Sequence, residues 1–172
     1  DTVGGTKAME AISVDTADNI IAAGSEQSSD KIRVIKLNSS GSNLWNYTYD
    51  HKANGVIDDI ARGVDTDPMN NIYVVGTVES FAELIVIKLN SSGSHIWNYT
   101  QDASIGDNDE AFGIAIDRNN NLYVAGSDLS TTQMRVIKLN SSGSNLWNYT
   151  QDPSLGSDEA YAIAADKNDD LV

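Results

Sequence analysis

An all-β chain, made of four-stranded antiparallel units set side by side, is the fold this sequence predicts. Three observations predict it. The first is self-similarity: Val-Ile-Lys-Leu-Asn-Ser-Ser-Gly-Ser-Xaa-(Leu/Ile)-Trp-Asn-Tyr-Thr starts at Val34, Val86 and Val136, spaced 52 and 50 residues apart. A period of that size marks copies of one supersecondary unit that cannot bury its apolar faces alone and must stack. The second is four short segments per unit rich in Val, Ile, Tyr, Trp and Thr, none of them long enough for a typical helix. The third is the Gly, Asn, Asp and Ser that punctuate them.

The third unit shows each element in order. Its first segment, Phe112–Asp117, alternates: Phe112, Ile114 and Ile116 share one face, Gly113 and Ala115 the other. A bulky face opposite a small one implies packing on both sides, with one neighbour close. The turn Asp117-Arg-Asn-Asn-Asn121 follows, where an Asp can bond the backbone two residues on and close an Asx-turn. The second segment is Asn121–Ser127. A stretch that varies between copies comes next (Ser25–Lys31, Thr77–Glu83, Ser127–Gln133), then the third segment, Met134–Asn140. The loop Asn140-Ser-Ser-Gly143-Ser leads to the fourth, Asn145–Thr150, with Gly143 free to take the positive φ such loops need. Equivalent first segments end at Asp15, Asp67 and Asp166.

Four antiparallel strands per repeat of this length make a β-propeller blade. A parallel β-helix would need a shorter period, and an immunoglobulin-like array about twice the length per domain. The expected organisation is blade 1 at 1–50, blade 2 at 51–102, blade 3 at 103–152 and the first strands of blade 4 at 153–172, all parts of one propeller domain. Propellers close with about four to eight blades. The chain therefore reads as a fragment of a larger propeller, or as one that pairs with other chains through open blade edges.

Composition narrows the partners. The formal charge of −14 argues against nucleic acid, whose phosphates demand clustered Lys and Arg. No apolar run approaches the roughly 20 residues of a membrane helix, so no membrane insertion is expected. Cysteine is absent, which removes disulfides and thiolate metal sites.

The run Asp107-Xaa-Asp109-Glu110-Ala111-Phe-Gly-Ile-Ala-Ile-Asp117-Arg-Asn-Asn-Asn121-Leu-Tyr-Val-Ala-Gly126, followed by Val136-Ile-Lys-Leu-Asn-Ser-Ser-Gly143-Ser, resembles the SBBP class of bacterial and archaeal β-propeller repeats. Asn70, Asn120 and Asp169 stand where that family usually has Gly. The resemblance implies a secreted or cell-surface protein. The hairpin Lys138–Trp147 also resembles the tryptophan-docking motif of quinoprotein-like propellers, which implies that Trp45, Trp97 and Trp147 lock blade to blade.

Several residues are candidates for function. Asp117, Asn119 and Asn121, and Asp166, Asn168 and Asp170, have the alternating oxygen spacing that opens a calcium loop, although the central Gly and distal Glu are missing. Calcium is the one cofactor this leaves open, beside the plain reading as a hairpin turn. Asp107, Asp109 and Glu110 gather before the first segment, where they could cap, solvate, bind a cation at a channel mouth or act as acid and base. Arg62 and Asp65 depart from the repeat, replacing Phe112/Tyr161 and Ala115/Ala164; they line a channel or pair with each other. Glu79, Phe81 and Glu83 put an aromatic between carboxylates in a variable loop.

Asn-Xaa-Ser/Thr sequons fall in two sets: Asn38, Asn90 and Asn140 open the tight loop, and Asn46, Asn98 and Asn148 lie on the outermost strand. Nucleophilic and zinc chemistry have no motif here, so no enzyme is expected. The reading is a secreted or surface structural or interaction module that takes a protein or glycan at the variable-loop face. The alternatives are an enzyme whose site lies in other blades, and an extracellular filament or sheath subunit.

Overall fold

The computed structural model describes residues 7–26, 31–51, 59–78, 83–101, 109–128, 131–151, 158–166 and 171. Twelve strands form three four-stranded antiparallel sheets, each in sequence order. The first holds β1 (Lys7–Val14), β2 (Ile20–Glu26), β3 (Lys31–Leu37) and β4 (Asn43–Tyr49). The second holds β5 (Ile60–Thr66), β6 (Ile72–Val78), β7 (Glu83–Leu89) and β8 (His95–Gln101). The third holds β9 (Asp109–Ile116), β10 (Leu122–Asp128), β11 (Gln133–Leu139) and β12 (Asn145–Gln151). Inner strands pack in series, β1 on β5 and β5 on β9, which sets the sheets side by side as propeller blades. No helix among the described residues is long and apolar enough to cross a membrane.

Apolar burial sits between blades. One core joins Ile21, Ile32 and Val34 of the first sheet to Ile72, Val74, Ile85, Ile87 and Leu89 of the second. A second core joins Tyr73, Val75, Leu84 and Val86 to Leu122, Val124, Ile137 and Leu139 of the third. The middle blade is covered on both faces, and β6 is buried at every position.

The turns obey local chemistry. In each hairpin between the third and fourth strands the Asn carboxamide oxygen collects two backbone N–H groups: Asn140 Oδ1 accepts from Ser142 at 3.0 Å and Ser144 at 3.0 Å. Gly143 stands at φ +83°. In the turn after the first strand, Asn70 and Asn120 have φ of 62° and 58°. Asn tolerates this left-handed region better than most residues, which is why it can stand at this position of the turn without a Gly.

Two expectations shift. Asp109 and Glu110 belong to β9, paired with Asp128 and Ser127, not to a loop before it. Their polarity reads as a loop, but a buried guanidinium described below holds Asp109 in the sheet. Beyond blade 3, residues 158–166 contain no strand, only an isolated bridge from Ala165 to Leu171. They nonetheless pack on β9: a Cβ on Gly113 would lie 3.0 Å from the Ala162 Cα, the close neighbour that the small face implies.

Candidate functional site

Strand register sorts the molecule into two ends. At one end lie the turns Asp15–Asn19, Asp67–Asn71 and Asp117–Asn121, together with the third-to-fourth-strand hairpins. At the other lie the ends of the second and fourth strands and the starts of the first and third. The first end repeats from blade to blade, and the second changes.

The repeating end is a set of closed turns. Asp117 Oδ1 accepts the N–H of Asn119 at 2.9 Å and of Asn121 at 2.8 Å; its Oδ2 accepts Asn121 Nδ2 at 2.8 Å and the Tyr123 hydroxyl at 3.2 Å. Burial opposes ionisation of Asp117, but these donors outweigh it and hold the carboxyl below its ordinary range. Asp15 is held down in the same way, with burial outweighed by the Lys36 ammonium at 2.7 Å and by Asn19 and Ala17. The lone pairs of Asp117 thus face its own turn, with Asn121 presenting nitrogen rather than oxygen. No group of three or more His, Asp or Glu side chains gathers around a common point among the described residues. Asp166 lies beside the isolated bridge, and Asn168 and Asp170 are outside the described residues.

The tryptophans and lysines of the repeated block join the blades. Trp45 Nε1 donates to the Ser91 carbonyl at 3.2 Å, and Trp97 Nε1 to the Ser141 carbonyl at 3.3 Å. Their rings lie over glycines: a Cβ would come within 2.7 Å of Trp45 at Gly93 and within 3.0 Å of Trp97 at Gly143. Lys36 and Lys88 donate to the same two carbonyls at 3.3 and 2.9 Å. Sequence reasoning missed these lysines. Their signal was a cation kept in every copy inside an apolar strand. Trp147, identical in sequence, meets no such hairpin among the described residues and is 39% exposed.

The variable end holds most of the binding candidates. Asp109 is buried and takes Arg135 Nη1 at 2.5 Å, while Arg135 Nη2 reaches Asp128 at 2.6 Å. Arg62 does not pair with Asp65. Its Nη2 lies 3.7 Å from Glu110 on the next blade, and its guanidinium sits 5.2 Å from the Phe112 ring centre. Phe112 in turn packs on Tyr161, with centroids 5.0 Å apart. Arg62, Phe112 and Tyr161 are equivalent positions of successive repeats, so β5, β9 and the segment 158–166 present a cation–aromatic–aromatic ladder in which no residue repeats. Glu83 opens β7 and is half-buried; Glu79, Phe81 and Asp107 are outside the described residues.

Asp65 faces the other end, beside an open cleft of about 380 Å³ lined also by Val14, Thr66, Pro68, Ile116 and Arg118. Burial raises its carboxyl, with N–H donors from Thr66 and Ile116 and the Ser13 hydroxyl pulling the other way. The outer-strand asparagines Asn46, Asn98 and Asn148 are exposed, whereas Asn38, Asn90 and Asn140 are half-buried.

Residues 100–127 match the family model of the SBBP beta-propeller repeat. No curated protein matches the chain. Among solved structures, a crystallised protein of unknown function from Bacteroides caccae is similar over 96% of this chain and 52% of its own, with a TM-score of 0.60 and 15% identity. The chain thus spans about half of that protein, and at this identity the likeness speaks for the fold alone.

Proposed function

We propose that this chain, a carrier of the SBBP β-propeller repeat, is a secreted or cell-surface interaction module that takes a protein or glycan partner at its variable end. One observation carries the reading: the Arg62–Phe112–Tyr161 ladder differs in every repeat, while the hairpins and turns of the other end are copied. A scaffold needs identical joints, and a site needs unlike groups on rigid supports. The ladder favours a glycan. Aromatic faces stack on the apolar side of a sugar ring, and Arg62 with Glu110 supplies donor and acceptor for its hydroxyls. Tyr161 is 67% exposed, so one rung is open to a ligand.

A glycan array probed with the purified chain tests this. Binding should weaken about tenfold or more in Tyr161→Ala or Arg62→Ala, a loss of about 1.4 kcal/mol, and persist in Arg118→Ala at the opposite end. Binding that ignores the ladder variants overturns the reading.

A second reading, self-association, has its own observation. Among the described residues Trp147 meets no receiving hairpin, and a Cβ added at Gly41 would meet nothing within 4 Å, although the equivalent glycines each receive a Trp. One open face thus offers what the other accepts. Light scattering should then show concentration-dependent oligomers that Trp147→Ala dissolves; a strictly monomeric chain rejects it.

A further inference from the structure

The two sequon sets differ in what their recognition groups are doing. An N-glycosyl transferase reads the Asn carboxamide together with the hydroxyl two residues on. In the hairpins both are occupied by each other. Ser40, Ser92 and Ser142 donate their hydroxyls to Asn38, Asn90 and Asn140 Oδ1, each at 2.7 Å. The same oxygens also take backbone N–H groups from Ser42, Ser94 and Ser144 at 2.8, 2.9 and 3.0 Å.

On the outer strands Asn46 and Asn148 Oδ1 accept the side-chain N–H groups of Asn43 and Asn145 at 2.8 and 2.6 Å, but the sequon hydroxyls are not drawn into the carboxamide. Asn46 and Thr48, Asn98 and Thr100, and Asn148 and Thr150 are all exposed. Residues two apart on a strand share a face, so each acceptor and its hydroxyl point out together. Among the described residues no acceptor holds those three hydroxyls or the three Nδ2 groups. Leu44, Ile96 and Leu146 precede them on that face and are 49%, 47% and 50% exposed, an apolar spot beside each Asn.

We infer that Asn46, Asn98 and Asn148 are N-glycan acceptors in the folded chain, and that the hairpin asparagines are closed. The inference rests on the secreted or surface reading, because the co-reactant, a lipid-pyrophosphate-linked oligosaccharide, is met on that route. In the transfer, Nδ2 bonds to the anomeric carbon and the bond from that carbon to the pyrophosphate oxygen breaks. The lipid pyrophosphate leaves with the electron pair, and Nδ2 gives one proton to a carboxylate of the transferase. The result is one glycan on the rim of each blade, shielding the Leu or Ile beside it and covering the open edge of the outer strand.

The test uses unglycosylated chain made in bacteria, folded and then incubated with a purified single-subunit oligosaccharyltransferase and its lipid-linked donor. Short peptides spanning each sequon run in parallel, and site occupancy is read by peptide mass. All peptides should react. In the folded chain the outer-strand sites should be modified, and the hairpin sites at least about tenfold more slowly, the cost of an occupied recognition hydroxyl. Thr48→Val, Thr100→Val and Thr150→Val together should abolish rim modification while circular dichroism keeps its strand signature. Rim sites that stay bare while their peptides react, or hairpin sites that react as fast, overturn the inference. Neither result touches the ladder, and the purified system makes the outcome independent of where the native chain resides.

Discussion

Blades 2 and 3 share their outer hairpins almost letter for letter, yet they solve one buried position in opposite ways. Where the second strand ends and the third begins, blade 3 has Asp128 and Arg135, tied to Asp109. Blade 2 has Val78 and Ile85, both fully buried, and its Asp59 instead accepts the His51 N–H at 2.8 Å. Blade 1 has a looser, partly exposed pair, Glu26 and Arg33 at 3.6 Å. The same backbone thus accepts an ion pair or an apolar pair. That is the expected behaviour of buried ionic groups: their attraction roughly offsets their desolvation, so a well-packed apolar pair competes on equal terms. Where blade 2 keeps the acid without the guanidinium, a backbone N–H takes the guanidinium's place at the carboxylate.

The sharpest way to break this comparison is Arg135→Met. It leaves Asp109 and Asp128 buried without their cation and should cost about 3–5 kcal/mol, read as a lower urea midpoint at pH 7. Removing the whole triad from blade 3, Asp109→Ala and Asp128→Val with Arg135→Ile, should return stability to within about 1–2 kcal/mol of the parent. A triple variant as unstable as the single one would mean that blade 3 does not accept the apolar solution at this position.

The tryptophans extend the contrast. Trp97→Ala removes a ring seated on the Gly143 hairpin and should cost about 3 kcal/mol. Trp147→Ala removes the same ring from an unreceived face and should cost under about 1 kcal/mol in dilute monomer. Equal losses would show that docking onto the next hairpin contributes little.

Acid should act on the shared turns. The carboxyls of Asp15 and Asp117 lie lower in the folded than in the unfolded state. Their stabilisation is complete above the unfolded value of about 4 and is lost as pH falls through the folded values. Unfolding midpoints should therefore drop below that pH, and Asp117→Asn should flatten the dependence. Asp65, found only in blade 2, runs the other way. Its folded value is raised, so its ionised form is a cost at neutral pH that disappears in acid. Asp65→Ala, matching blade 3, should be better tolerated at pH 7 than in strong acid, read as the difference in unfolding midpoint from the parent at the two pH values.

Much of the architecture was legible because it is periodic. The strands, the Asx-turns and the positive-φ hairpin glycines follow from local chemistry repeated three times, and the docking of Trp45 and Trp97 was implied by the resemblance of their hairpin to a tryptophan-docking motif. The unlike residues were harder to read. Arg62 was noticed as a departure, but its partners, Glu110 and Phe112, lie on another blade, and no local rule names them. Arg135 was passed over because an Arg near a loop looks solvated; only the fold brings Asp109, 26 residues away, under it.

By itself, then, the order of residues determined the unit, its turns and the groups each copy presents. Backbone propensity, side-chain alternation and short-range hydrogen bonds act within a few residues. The tertiary structure alone decided which charges are buried together, which two of three identical tryptophans are received, and which sequons keep a free hydroxyl. Those outcomes depend on desolvation and contact between distant segments, and both exist only once blades lie against each other.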